Sequence, residues 1–87
     1  MAEEKLEQIG AISNYYSKIS VAVVDLTGKL ALGDAIRVKG ATTDFHQKVE
    51  SMQIEHANVQ NAGPGQSIGL KVPDKVRKGD IVYKILS

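Results

Sequence analysis

No cysteine occurs in the sequence, so neither a disulfide framework nor a thiolate metal site reinforces the fold. The absence fits a reducing compartment. Tryptophan is missing as well, and aromatic residues amount to three tyrosines and one phenylalanine. No long apolar run is present. The longest, residues 21–24, falls far short of a membrane span. The N-terminus lacks the basic-then-apolar order of a secretory leader, so a cytoplasmic, unprocessed chain is expected. Nor does one sign of charge prevail: eleven Lys/Arg against ten Asp/Glu give +1, which argues against a bulk polyanion binder. With 87 residues there is room for one core, burying only about 60–65% of the unfolded surface.

What is present is organised around residues 49–72. Two apolar segments, 49–54 and 68–72, flank a polar connector that carries Val59 and the turn Gly63-Pro64-Gly65. Ahead of it, residues 1–8 form a polar lead with Glu3, Glu4 and Glu7, expected to be flexible, and residues 9–87 form the single domain. From Ile9 onward ten basic and seven acidic residues remain, a net +3.

Residues 9–16 and 19–26 are rich in β-branched and aromatic side chains and meet at Ser17-Lys18, which predicts a hairpin. Ile19, Val21 and Val23 share one face, and Ala22, Val24 and Leu26 the other, so this strand is expected to be covered in part on both sides. Tyr15 and Tyr16 must point oppositely, one to the core and one to the surface. Ile36 and Val38 alternate with Arg37 and Lys39 up to Gly40. Phe45, Gln47 and Val49 share a parity that Met52 and Ile54 break. A β-bulge near Glu50-Ser51 restores it; the alternative is Met52 packed under a loop on the outside. Ile68, Leu70 and Val72 face inward until Pro73 ends the strand. Leu30-Ala31-Leu32-Gly33-Asp34 and Val76-Arg77-Lys78-Gly79-Asp80 read as equivalent corners, with glycine permitting positive φ and aspartate bonding nearby backbone. Short strands, regular turns and no convincing helix indicate an all-β fold.

Four pieces in order carry a family likeness: Leu30-Ala31-Leu32-Gly33-Asp34-Ala35-Ile36, Val49-Glu50-Ser51-Met52, Ala62-Gly63-Pro64-Gly65 with Ile68-Gly69-Leu70, and Val76-Arg77-Lys78-Gly79-Asp80-Ile81-Val82. Together they resemble domain II of elongation factor Tu and its relatives, across most of the chain from Ile9. The resemblance implies a small closed six-stranded Greek-key β-barrel, translation-factor-like, of a kind also found as C-terminal appendages of collagenase-like peptidases. In the factors the domain packs on a GTPase domain and contacts ribosomal RNA or tRNA. No Gly-x-x-x-x-Gly-Lys-Ser/Thr loop is present, so no nucleotide chemistry is expected. Asp25-Leu26-Thr27-Gly28 is then a turn.

Little else in the chain points to chemistry. His46 and His56 stand ten apart without a neighbouring carboxylate pair of ligand spacing, so they read as surface histidines and no metal is expected. Asp34 and Asp80 have capping work in their corners, and Ser51 and Ser67 lack an assignable histidine. No catalytic residue, cofactor or enzymatic activity is therefore expected. Gly63-Pro64-Gly65 is a turn before it is an anion nest.

Basic residues carry the remaining signal. With Ile36/Val38, Ile68/Leu70 and Ile81/Tyr83 inward, Arg37, Lys39, Lys71 and Lys84 project outward, and Lys75, Arg77 and Lys78 crowd one loop. They suit RNA or ribosome contact, with Tyr15 or Tyr16 as a stacking surface. They suit a solvated outer face equally well. The alternative is a protein-interaction module docking on a separate GTPase or peptidase-like enzyme through Tyr15 or Tyr16, Met52 and residues 58–66.

Overall fold

A computed structural model of the chain describes residues 5–86. Ten strands make up the regular structure: β1 (Leu6–Tyr16), β2 (Val21–Leu26), β3 (Leu30–Ala31), β4 (Ala35–Lys39), β5 (Asp44–Lys48), β6 (Met52–Ile54), β7 (Ala57–Val59), β8 (Asn61–Ala62), β9 (Ser67–Lys71) and β10 (Ile81–Ile85). No helix occurs among the described residues, so the all-β expectation holds. Eight strands form one antiparallel sheet in the order β5-β4-β10-β1-β2-β9-β6-β7, and β3 pairs with β8 alone.

The closed six-stranded barrel is a correction. The sheet curls around one core, but its edges β5 and β7 are not paired with each other. Side chains from both sheets fill that core: Ile9 and Ile12 from β1, Ala22, Val24 and Leu26 from β2, Leu30 from β3, and Ile36 and Val38 from β4. Met52, Ala62, Ile68, Leu70 and Val82 complete it from the later strands. Burying aliphatic groups of this kind stabilises by roughly 1.5–3 kcal/mol each, before the entropy cost of ordering the chain.

β1 is the central strand. Its first half pairs with β10, the second with β2, and the register slips between Gln8 and Gly10 and again between Ile12 and Asn14. The slips place Ile9 and Ile12, three residues apart, both in the core. Bulges sharpen twist and bend a strand, which a sheet curling round so small a core requires. The strand begins at Leu6, pairing with Ile85, so Leu6–Gln8 are not part of a free lead; residues 1–4 of that lead lie outside the described residues.

Three further expectations meet corrections. The β1–β2 hairpin forms, with Tyr16 opposite Val21, but its turn takes four residues, 17–20, and leaves Ile19 61% exposed. No bulge lies near Glu50-Ser51. Instead the segment splits: β5 pairs with β4, whereas β6 pairs with β7 and β9. Val49 crosses between them, its N–H donating to Asp34 O and its carbonyl accepting from Gly33 N–H, both at 2.8 Å. The parity break is real, because Val49 and Met52 are both buried; a change of strand partner absorbs it.

The third correction concerns β10. Val82, not Ile81 and Tyr83, faces inward. Apolar residues occupy both parities of this strand, so alternation alone does not choose a face. Pairing with β4 chooses, by setting Val82 opposite Val38 and Lys84 opposite Ile36.

The two Gly-Asp corners are equivalent, as expected. Asp34 Oδ2 accepts from Ala31 N–H and Asp80 Oδ2 from Arg77 N–H, each at 2.9 Å. Gly33 and Gly79 carry φ of 90° and 98°, a region costly for any residue with a Cβ.

Candidate docking surface

The basic residues lie on four stretches of the chain: β4, β9, the connector before β10, and β10 itself. Arg37 and Lys39 stand on the outer face of β4, and Arg37 holds Asp44 of β5 through Nε at 2.8 Å and Nη2 at 3.0 Å. That pairing, above all the hydrogen bond from Arg37, holds the Asp44 carboxyl below its ordinary pKa. Lys71 lies at the end of β9, on a different strand from Arg37 and Lys39, where its carbonyl accepts from Gln47 of β5. Lys75, Arg77 and Lys78 are exposed in the connector before β10, around the buried Val76. Lys84 does not project outward. It shares the inward parity of Val82 and reaches Asp34 Oδ2 at 3.4 Å.

The tyrosines separate clearly. Tyr15, opposite Ala22, packs against the core half-buried, and Tyr16 is 50% exposed. Asn14 sits between them: its Oδ1 accepts from Tyr15 N–H at 2.8 Å, and its Nδ2 donates to Tyr16 OH at 3.2 Å.

Beside Tyr16 lies the outer face of β2 and β9. Val21 and Val23 point outward there, half-buried, and Val23 faces Gly69, which has no side chain to fill the space. Gln53 lies on the far side of Gly69. With the exposed Ile19, these residues form a shallow groove of about 280 Å³. Glu55 and His56 close one end from the β6–β7 turn, both at positive φ, 51° and 65°. Ser20, at φ 55°, joins Ile19 to Val21. Two-residue turns of this type favour Asn-Gly, so Glu55 and His56 hold their places at a conformational cost.

An exposed aromatic, exposed and half-buried aliphatics and a polar rim are the makings of a protein interface. Sequence reasoning did not single out Ile19, Val21 and Val23 as a contact surface. The signal was nonetheless present in a strand apolar on both faces. Met52, expected in a partner contact, is buried at 1% exposure and is withdrawn from it. Asn58, Gln60 and Asn61 are exposed. His46 is exposed on β5 and His56 in its turn, and no group of three or more metal-ligating residues exists among those described. None of the described helices is long and apolar enough to cross a membrane, there being none.

No protein-family model matches the chain. Among known proteins it is 43% identical over 77 residues to an uncharacterized protease of Methanocaldococcus jannaschii, covering 87% of this chain and 19% of that protein. It is 37% identical over 78 residues to a collagenase of Porphyromonas gingivalis, covering 87% of this chain and 22% of that one. The chain thus spans about a fifth of the length of these relatives. The solved C-terminal domain of a Geobacillus thermoleovorans U32 peptidase superposes with a TM-score of 0.86 over 90% of this chain and 99% of that domain, at 22% identity. That match shows a shared fold.

These findings overturn the elongation-factor assignment. Elongation factor 1-alpha of Pyrococcus horikoshii is similar at 33% identity over 80% of the chain, below the protease and the collagenase, and the structural match is a peptidase domain. The motifs that suggested a translation factor are corners and core positions, which a barrel-like fold demands whatever it is attached to. The ribosome, rRNA and tRNA readings find no support in these relatives.

Proposed function

We propose that this chain is a protein-interaction module that seats on the enzyme body of a U32-type peptidase. The observation that carries the reading is the pattern of relatives: a protease and a collagenase, each matched along only about a fifth of its length. The fold agrees with that of a peptidase's C-terminal domain. The contact face is the groove of Tyr16, Ile19, Val21 and Val23. Tyr16 acts as the anchor, since a half-exposed aromatic beside a glycine floor buries much area for little loss of rotamer freedom. Arg37, Lys39, Lys71 and the cations at 75–78 serve as a polar rim or solvated surface, steering the encounter more than holding it. Catalysis belongs, on this reading, to the body the module sits on.

Calorimetry with the purified chain and the purified enzyme portion of such a peptidase tests the proposal, with nuclease-treated samples throughout. A one-to-one complex is expected, weakened about tenfold or more by Tyr16→Ala with Ile19→Ser. Absence of a complex at tens of micromolar (about 10⁻⁵ M, near the weak end of useful association) rejects it. So does a complex that disappears with nuclease.

A further inference from the structure

The uncurled edge of the large sheet has a feature the docking face does not use. Among the described residues β5 pairs with β4 on one side only, and its end approaches the end of β9 across a seam. A side-chain hydrogen bond crosses that seam: Gln47 Nε2 donates to the Lys71 carbonyl at 3.0 Å. Gln47 stands opposite Ile36, on the inward parity. Its Oε1 is buried and has no hydrogen-bond partner among the described residues. A primary amide carries the same donor and acceptor as a peptide unit. Gln47 therefore stands in for one link of a strand at the place where the curled sheet fails to close.

The cleft at this seam encloses about 340 Å³ and is lined by Gln47, Lys48, Glu50, Ser51, Lys71 and Val72, with Pro73 at its end. Lys48 and Lys71 are both exposed, and neither forms an ion pair among the described residues. Glu50 is the one carboxylate in the lining.

We propose that the β5 edge at this seam is a strand-addition site for an extended, acidic segment of a partner polypeptide. The segment pairs with the main chain of β5 and sets its carboxylates between Lys48 and Lys71. Three observations select that occupant. A sheet edge offers a row of main-chain donors and acceptors, which an extended polypeptide complements. The buried Gln47 Oε1 needs a donor, and a peptide N–H supplies one. Two cations against one carboxylate favour a negatively charged strand over a basic one. The site adjoins the Tyr16 groove, since Lys71 pairs with Val21, but shares no lining residue with it and does not rest on the peptidase-docking reading.

Nuclear magnetic resonance on the full chain, labelled with nitrogen-15, provides the test. The probe is a blocked peptide of alternating valine and threonine with two central glutamates. Saturable binding is expected, with slowed amide exchange at residues 44–48. Lys48→Glu with Lys71→Glu, both exposed positions, should leave the free spectrum's dispersion intact. They should weaken the acidic peptide roughly tenfold and favour its lysine counterpart. N-methylation at alternate peptide positions should abolish binding, and Tyr16→Ala should leave it unchanged. No saturation at millimolar peptide overturns the proposal. Equal binding of the N-methylated probe overturns it too, as does protection at the Tyr16 groove in place of β5.

Discussion

In the corner at residues 30–34 the Asp34 carboxylate takes Ala31 N–H, and in the corner at residues 76–80 the Asp80 carboxylate takes Arg77 N–H, at the same 2.9 Å. Each aspartate also donates its own N–H back to the residue three before it, at 3.2 and 3.0 Å. Their surroundings differ. Asp80 is 6% exposed, pressed so closely on Gly40 that a Cβ there would land within its carboxylate. Asp34 is half-buried at the rim and shares its carboxylate with Lys84. Identical local chemistry therefore yields a packed strut at one corner and a solvated ion pair at the other. What a turn motif contributes depends on what the fold brings against it.

Several substitutions break this contrast, and their effects should fall in order. Gly40→Ala forces the Asp80 carboxylate out of a packed site and should cost about 2–3 kcal/mol. In a domain of this size that lowers Tm by roughly 4–8 °C per kcal/mol, readable by calorimetry. Asp80→Ala removes the acceptor for Arg77 N–H in a buried corner and should cost about 2 kcal/mol. Asp34→Ala removes the matching bond where water can replace it, and should cost about 1 kcal/mol in denaturant titration. Equal losses at Asp34 and Asp80 would refute the contrast. Lys84→Met should change stability by no more than about 0.5–1 kcal/mol, since the pair it breaks is partly solvated.

The smallest effect is a titration. Arg37 holds the Asp44 carboxyl below its ordinary pKa. A depressed folded-state value contributes stability that is present above the unfolded pKa and lost as pH falls through the folded one. Following the Asp44 carboxyl by carbon-13 resonance, Arg37→Ala should move its midpoint upward. An unmoved midpoint would assign the shift to another neighbour.

How much of this was legible beforehand varies by element. Both corners, the β1–β2 hairpin and the inward sets Ile36/Val38 and Ile68/Leu70/Val72 follow from turn chemistry and two-residue alternation. The break in rhythm between Val49 and Met52 was visible, but its resolution was not. A bulge and a change of strand partner restore parity alike, and the choice lies with distant residues. The outward turn of Ile81 and Tyr83 was hidden for a related reason, as was the inward turn of Lys84. A strand apolar on both parities takes its face from its neighbour. The groove of Tyr16, Ile19, Val21 and Val23 was half visible, as a second apolar face with no stated use.

From the amino-acid order alone came the all-β character and the paired Gly-Asp turns. Each rests on interactions within a few residues or on composition. Which cations stand together, which tyrosine meets solvent and whether the sheet closes were decided only by the tertiary fold. Those properties arise from strand register and from the approach of β5 to β9, contacts between residues far apart in the chain.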